Sequence, residues 1–241
     1  LAALAAAVLV TSVLPAAAAW AVDRPVPQRI SGADRYATAV AVSDYSFAGS
    51  TTSTVYLTTG ESFPDALAAA AAAGTVGAPL LLTSAGGLPG STLEEIRSLR
   101  PTTIYVVGGT NAIPQAQIDV LRGIDSRLTV TRISGANRYE TSYQVATQRF
   151  TNPGAVYVAT GGSYADALSA AAAAGSASIP ILLVDGTDAT RLLQVLDQLN
   201  TRRAIIVGGT GVVSAEIQQQ LAAWRVPETG ALLRVDRYAG A

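Results

Sequence analysis

Val55-Tyr-Leu-Thr-Thr-Gly-Glu-Ser-Phe-Pro-Asp-Ala-Leu-Ala-Ala-Ala-Ala-Ala-Ala-Gly74 returns as Val156 to Gly175, with most positions identical at a constant offset. Its first residues are a short apolar run. Its second half is an alanine-rich helical stretch with no large side chain beyond Leu67, so it can pack very close to a sheet, and Gly74 suits a C-terminal cap. Two further blocks recur in the same order. Arg29-Ile-Ser-Gly-Ala-Asp-Arg-Tyr-Ala-Thr38 matches Arg132 to Thr141 at eight of ten positions, and Val107-Gly-Gly-Thr110 matches Val207 to Thr210. Ordered blocks at a nearly constant offset mark a tandem duplication, with a repeat length of about 100 residues.

Within the first copy the periodicity predicts helices over 34–46, 63–73, 91–99 and 114–122, and strands over 54–58, 79–83, 103–107 and 128–132. Pro79-Leu-Leu-Leu-Thr83 and Ile104-Tyr-Val-Val107 are continuously apolar, the pattern of strands covered on both faces. Alternating strands and helices of this kind imply an α/β fold of tandem three-layer α/β/α modules with parallel sheets. The expected boundaries are 22–127 for the first repeat and 128–231 for the second. A third copy is expected to open at Arg234-Val-Asp-Arg-Tyr238, lacking the Ser-Gly-Ala piece of the motif, so that 232–241 reads as an incomplete module.

The chain ahead of the repeats is apolar from Leu1 to Leu14. Pro15, an alanine string and Ala19-Trp20-Ala21 follow, with the first charge at Asp23. This reads as a signal peptide over 1–21 with a small-x-small cleavage site and no basic leader segment. The rival reading is a membrane anchor, since 1–22 is barely long enough to span. Cleavage leaves no stable membrane span, and both readings place the repeats outside the cytoplasm.

Of the chain's 241 residues, 49% are apolar and 14% are charged. That balance allows a sizeable core. The 16 basic and 17 acidic residues give a net charge of −1, which argues against a nucleic-acid partner. All basic residues are Arg, and His and Cys number zero. Ser-His-Asp, Cys-His and Ser-Lys chemistry, thiolate zinc sites and disulfides therefore have no residues to use. No cofactor or metal site is expected.

Asp65 and Asp166, each in a Gly-x-Ser-x-x-Asp run, are the candidate acids for a hydrolase. Ser62-x-x-Asp65 and Ser163-x-x-Asp166 also fit capping boxes, the preferred reading. Asp34 reads as a cap, and Asn137 in its place in the second copy suits a cap and not a general acid. Gly60, Gly161, Gly108-Gly109-Thr110 and Gly208-Gly209-Thr210 lie at strand ends where open parallel sheets bind ligands, without a nucleotide-binding pattern. Arg35-Tyr36 and Arg138-Tyr139 have two readings: they grip a phosphate, pyruvyl or carboxylate group and stack on a sugar, or they satisfy loop carbonyls and tie one copy to the next.

Taken together, Arg-Ile-Ser-Gly-Ala-Asp-Arg-Tyr-x-Thr, Val-Tyr-Leu-x-x-Gly-x-Ser-x-x-Asp-Ala-Leu, Pro-Leu-Leu-Leu-Thr and Tyr-Val-Val-Gly-Gly-Thr resemble the cell wall-binding repeat 2 family from near Gln28 to Tyr238. The resemblance implies a non-catalytic module, found as three tandem copies around a pseudo-threefold axis, that attaches a secreted protein non-covalently to an anionic wall glycopolymer. It places the protein at the cell surface. The expected ligand-binding residues are Arg35, Tyr36, Arg138, Tyr139, Arg29, Arg132, Ser31 and Ser134. An absent third repeat would leave an apolar face open, through which the chain could self-associate. The contrasting expectations are an extracellular α/β hydrolase using Asp65 and Asp166, and a purely structural spacer.

Overall fold

The computed structural model describes residues 27–240; the stretch read as a signal peptide lies outside them. In chain order the elements are α1 (Arg35–Phe47), β1 (Thr54–Thr59), α2 (Phe63–Thr75), β2 (Leu80–Thr83), α3 (Gly90–Leu99), β3 (Thr103–Val107), α4 (Gln115–Arg122) and β4 (Thr129–Ile133). The second series is α5 (Arg138–Arg149), β5 (Val156–Thr160), α6 (Ala165–Ala177), β6 (Ile181–Val184), α7 (Thr190–Gln198), β7 (Arg203–Val207), α8 (Ala215–Ala223) and β8 (Arg234–Tyr238). Two four-stranded parallel sheets result, ordered β2-β1-β3-β4 and β6-β5-β7-β8. The α/β reading with two tandem modules holds, and no helix among the described residues is long and apolar enough to cross a membrane.

Each sheet is covered on both faces, as its continuously apolar strands require. Val55, Leu57, Ile104 and Val106 share a core with Ile96 of α3 and Ile118 and Leu121 of α4. Tyr56 and Val107 belong to the opposite core, with α2. Val156, Val158, Ala204 and Ile206 likewise meet α7 and α8. The core under α2 is not private to the first repeat. It includes Val145 and Phe150 at α5, Ala167, Ala171 and Ala174 of α6, and Ile181 and Leu183 of β6. The two repeats are therefore joined by a common apolar core.

Two sequence expectations are corrected by this packing. Gly74 does not cap α2, which runs to Thr75. Gly74 faces Gly175 of α6, and a Cβ on it would stand 2.6 Å from the Gly175 Cα. The glycine is there so that two alanine-surfaced helices can touch backbone to backbone.

The second correction concerns the alignment of the segment at 234–238. β4 lies in the segment that opens the second sequence repeat, yet it pairs with β3 of the first sheet, Val106 beside Arg132 and Val107 beside Ile133. β8 pairs with β7 in the same way, Ile206 beside Arg237 and Val207 beside Tyr238. The residue equivalent to Arg132 is therefore Arg237, so Arg237-Tyr-Ala-Gly-Ala241 aligns with Arg132-Ile-Ser-Gly-Ala136. Arg237-Tyr238 is not the counterpart of Arg138-Tyr139, and the segment read as the opening of a third repeat supplies the fourth strand of the second sheet, as β4 at the head of the second repeat does for the first.

Candidate functional site

The repeated motif organises the loop between each module's last strand and the next module's first helix. The Ala37 N–H donates to Asp34 at 2.7 Å, which caps α1. The Glu140 N–H donates to Asn137 at 2.9 Å, which caps α5. Both are side-chain caps of the usual N-terminal kind. The Gly32 and Gly135 N–H groups donate to the hydroxyls of Thr38 and Thr141, both at 3.0 Å. A Cβ on Gly32 would collide with the Ala37 backbone, and one on Gly135 would collide with the Glu140 Cβ. These contacts account for Gly, Asp/Asn and Thr at fixed spacing.

Arg35 donates through Nη1 to the Gly60 carbonyl at 2.5 Å, and Arg138 to the Gly161 carbonyl at 2.7 Å. Tyr36 and Tyr139 lie on the same glycines: an added Cβ would meet their Cε1 atoms at 2.8 and 2.5 Å. The Arg-Tyr pair thus clasps the end of the first strand of its own module. Both arginines stay exposed, and Arg138 is engaged through Nη1 alone among the described contacts.

Arg132 behaves differently. It donates to the Gly108 and Ile113 carbonyls at 2.6 and 2.8 Å, holding the loop after β3, and Arg237 repeats this with Gly208 and Val213 at 2.8 and 3.0 Å. Burial lowers the pKa of both arginines. Arg29, their counterpart at the start of the described chain, and Ser31 are exposed, and Ser134 is half-buried.

Asp65 is not in a capping box. Ser62 stands at the N-cap of α2 without a side-chain cap bond, and the N-cap of α6 is Tyr164, not Ser163. Pro64 at the start of α2 brings no N–H, leaving one donor fewer to satisfy. The Asp65 carboxylate turns instead across the strand ends toward Gly108. The Gly108 φ is +133°, and an added Cβ there would lie 3.1 Å from Asp65 Oδ2. Only glycine adopts that backbone freely while leaving the space open. Burial pushes the Asp65 carboxyl up to about 6, against the opposing pull of the Arg138 guanidinium, because desolvation disfavours the charged form. Asp65 forms none of the ion pairs found within 4.0 Å among the described residues.

These groups converge on a cleft of about 350 Å³ at the carboxyl ends of the first sheet. Ser62, Asp65, Thr110 and Asn111 reach it from the first module, and Asn137 and Arg138 from the second. Sequence reasoning picked out Arg138 and Asp65 separately but not their convergence. Asn111 was missed altogether; its only signal is its position directly after the Gly-Gly-Thr turn.

Comparison with known proteins places this architecture. The profile of cell wall binding domain 2 (CWB2) matches residues 29–118 and 132–218. N-acetylmuramoyl-L-alanine amidase LytC of Bacillus subtilis is 31% identical over 195 residues, covering 80% of this chain and 38% of LytC. The amidase enhancer of the same organism is 32% identical over 196 residues, covering 81% of this chain and 26% of that protein. The chain thus spans about a third of the length of these relatives. Among solved structures, Cwp6 from Clostridium difficile superposes with a TM-score of 0.75 at 28% identity, covering 88% of this chain and 33% of that one. Cwp8 from the same organism gives the same score and identity over 35% of its chain. With the profile matched in both modules and the fold shared with those proteins, the chain belongs to the CWB2 family of cell wall-binding domains.

Proposed function

We propose that the chain is a non-catalytic anchor, which attaches a secreted protein non-covalently to an anionic glycopolymer of the bacterial wall. The observation that carries this reading is the exposed Arg138 guanidinium, held over the strand ends of a parallel sheet in an open polar cleft. A fixed guanidinium of this kind suits phosphate or carboxylate recognition. Tyr139 and Ser134 complete its loop. Arg29, Ser31, Arg35 and Tyr36 form the corresponding loop of the first module, while Arg132 positions the loop opposite. The test is co-sedimentation of the chain with purified Gram-positive walls, before and after acid extraction of their anionic polymers, across a salt series. Binding is expected to fall with extraction and with rising salt. Equal, salt-independent binding to stripped walls would overturn the anionic-polymer reading.

One observation favours the hydrolase alternative, the upward-shifted carboxyl of Asp65 in a cleft. Against it, Asp65 is the one carboxylate lining that cleft, where paired acid and base groups are needed. Wall hydrolysis that disappears in Asp65→Asn would establish the alternative.

The anchor reading also carries an association surface. Val145 of α5 is 1% exposed and Leu67 of α2 is 4% exposed, because they lie in the core between the modules, whereas their counterparts Val42 and Leu168 are 47% and 57% exposed. Val42 lines an apolar groove with Pro79 and Leu80, at the place where the second module receives α2. A third module, or another copy of the chain, would cover these two faces. Sedimentation velocity over a concentration range distinguishes a monomer from an associating species.

A further inference from the structure

We infer that the ligand cleft belongs to the junction between two modules and not to either module, and that Thr110 and Asn111 of the first module are recognition residues within it. The inference rests on the anchor reading. Its basis is the split lining of the cleft: Ser62, Asp65, Thr110 and Asn111 come from one side and Asn137 and Arg138 from the other. Arg138 is tied to its own module by one bond to the Gly161 carbonyl. Its charge is felt across the gap by Asp65, yet the two form no ion pair, so the space between them is open.

Among the described residues the two motif loops differ in their surroundings. Arg35 lies against its own strand-end residues Thr59, Gly60 and Glu61, with no Gly-Gly-Thr loop opposite it among the described residues. Thr210 and Gly211, the counterparts of Thr110 and Asn111, have no Arg-Tyr loop across from them among the described residues. Among the described residues one complete cleft exists, and it holds Arg138.

The chemistry of the lining defines the occupant. Arg138 takes an anionic group. The Thr110 and Ser62 hydroxyls and the Asn111 amide, all exposed, donate to and accept from neighbouring hydroxyls. The cleft volume is at the lower end of the range for ligand sites, roughly 300–1,000 Å³. It fits a single sugar unit bearing a phosphate or carboxylate substituent.

The test uses two matched pairs of variants and purified walls. Asn111→Glu puts a negative charge into the cleft from an exposed position. Gly211→Glu puts the same charge at the counterpart position, where a Cβ meets nothing within 4 Å. Asn111→Glu is expected to weaken wall binding about tenfold or more through repulsion of the anion, with Gly211→Glu within about twofold of the parent. Arg138→Ala is expected to lose about tenfold more binding than Arg35→Ala. Unchanged binding by Asn111→Glu, or equal losses within each pair, overturns the junction site while leaving the wall reading in place. A parent chain that fails to bind walls of any preparation overturns both. Asn111 is exposed, so melting curves separate a binding defect from misfolding.

Discussion

The Cβ position of Gly74 lies 2.6 Å from the Cα of Gly175, and the Cβ position of Gly175 lies 3.0 Å from the Cα of Gly74. Equivalent residues of two repeats thus meet at their backbones, with no side chain free to give way. Gly74→Ala would gain about 1 kcal/mol of helix propensity in an exposed helix. Here the added methyl forces α2 and α6 apart, and the variant is expected to be less stable by about 1–3 kcal/mol in chemical denaturation. Increased stability would mean that the helices can separate freely.

Asp65 makes stability depend on pH in a defined direction. Its folded-state pKa of about 6 lies above the ordinary value of 3.8, so the folded chain holds the proton more tightly than the unfolded chain. This contribution is complete below pH 3.8 and is lost as pH rises through about 6. It amounts to at most about 3 kcal/mol. Asp65→Asn is expected to be more stable than the parent at neutral pH by about 1–2 kcal/mol, and to lose that advantage in mild acid. A difference between the two proteins that does not vary with pH would contradict the burial of this carboxyl.

The bonds from Arg132 to the Gly108 and Ile113 carbonyls hold the loop facing Arg138. Arg132→Met keeps much of the stem and removes both donors, and is expected to cost about 2–4 kcal/mol. Arg132→Lys recovers part of this at most, because a single ammonium does not reproduce the planar fork. Thermal melts of the three proteins supply the comparison.

Asn137 and Asp34 perform one task with two chemistries, each accepting from a backbone N–H in the first turn. Asn137→Asp is expected to be neutral within about 0.5 kcal/mol, and Asn137→Ala to lose about 1 kcal/mol. The same cap orients the turn carrying Arg138, so wall binding by Asn137→Ala is expected to fall in step.

Much of the fold was legible in the sequence, because buried parallel strands and amphipathic helices leave local, periodic traces. Val55–Leu57 and Ile104–Val107 reveal their burial without any knowledge of their partners. The misreadings concern non-local contacts. Gly74 resembles a cap until Gly175 is seen across from it. Ser62-x-x-Asp65 has capping-box spacing, but the pattern does not show that Pro64 removes a donor and Gly108 opens a space for the carboxylate. Half of the site was legible for the same reason: Arg138 belongs to a repeated motif, whereas Asn111 becomes Gly211 in the second copy and enters the cleft only through the fold.

The fourth strand of each sheet is encoded at the head of the following repeat, so the modules interlock like links. A duplication that breaks the chain at the sequence boundary near Leu128 detaches β4 from its sheet and exposes the edge of β3. A break in the Ser134-Gly135 turn leaves every sheet closed and delivers each new copy with its Arg-Tyr loop facing the preceding Gly-Gly-Thr turn. Lengthening such an array by one module at that turn therefore adds one complete cleft, so the number of clefts follows the number of joints.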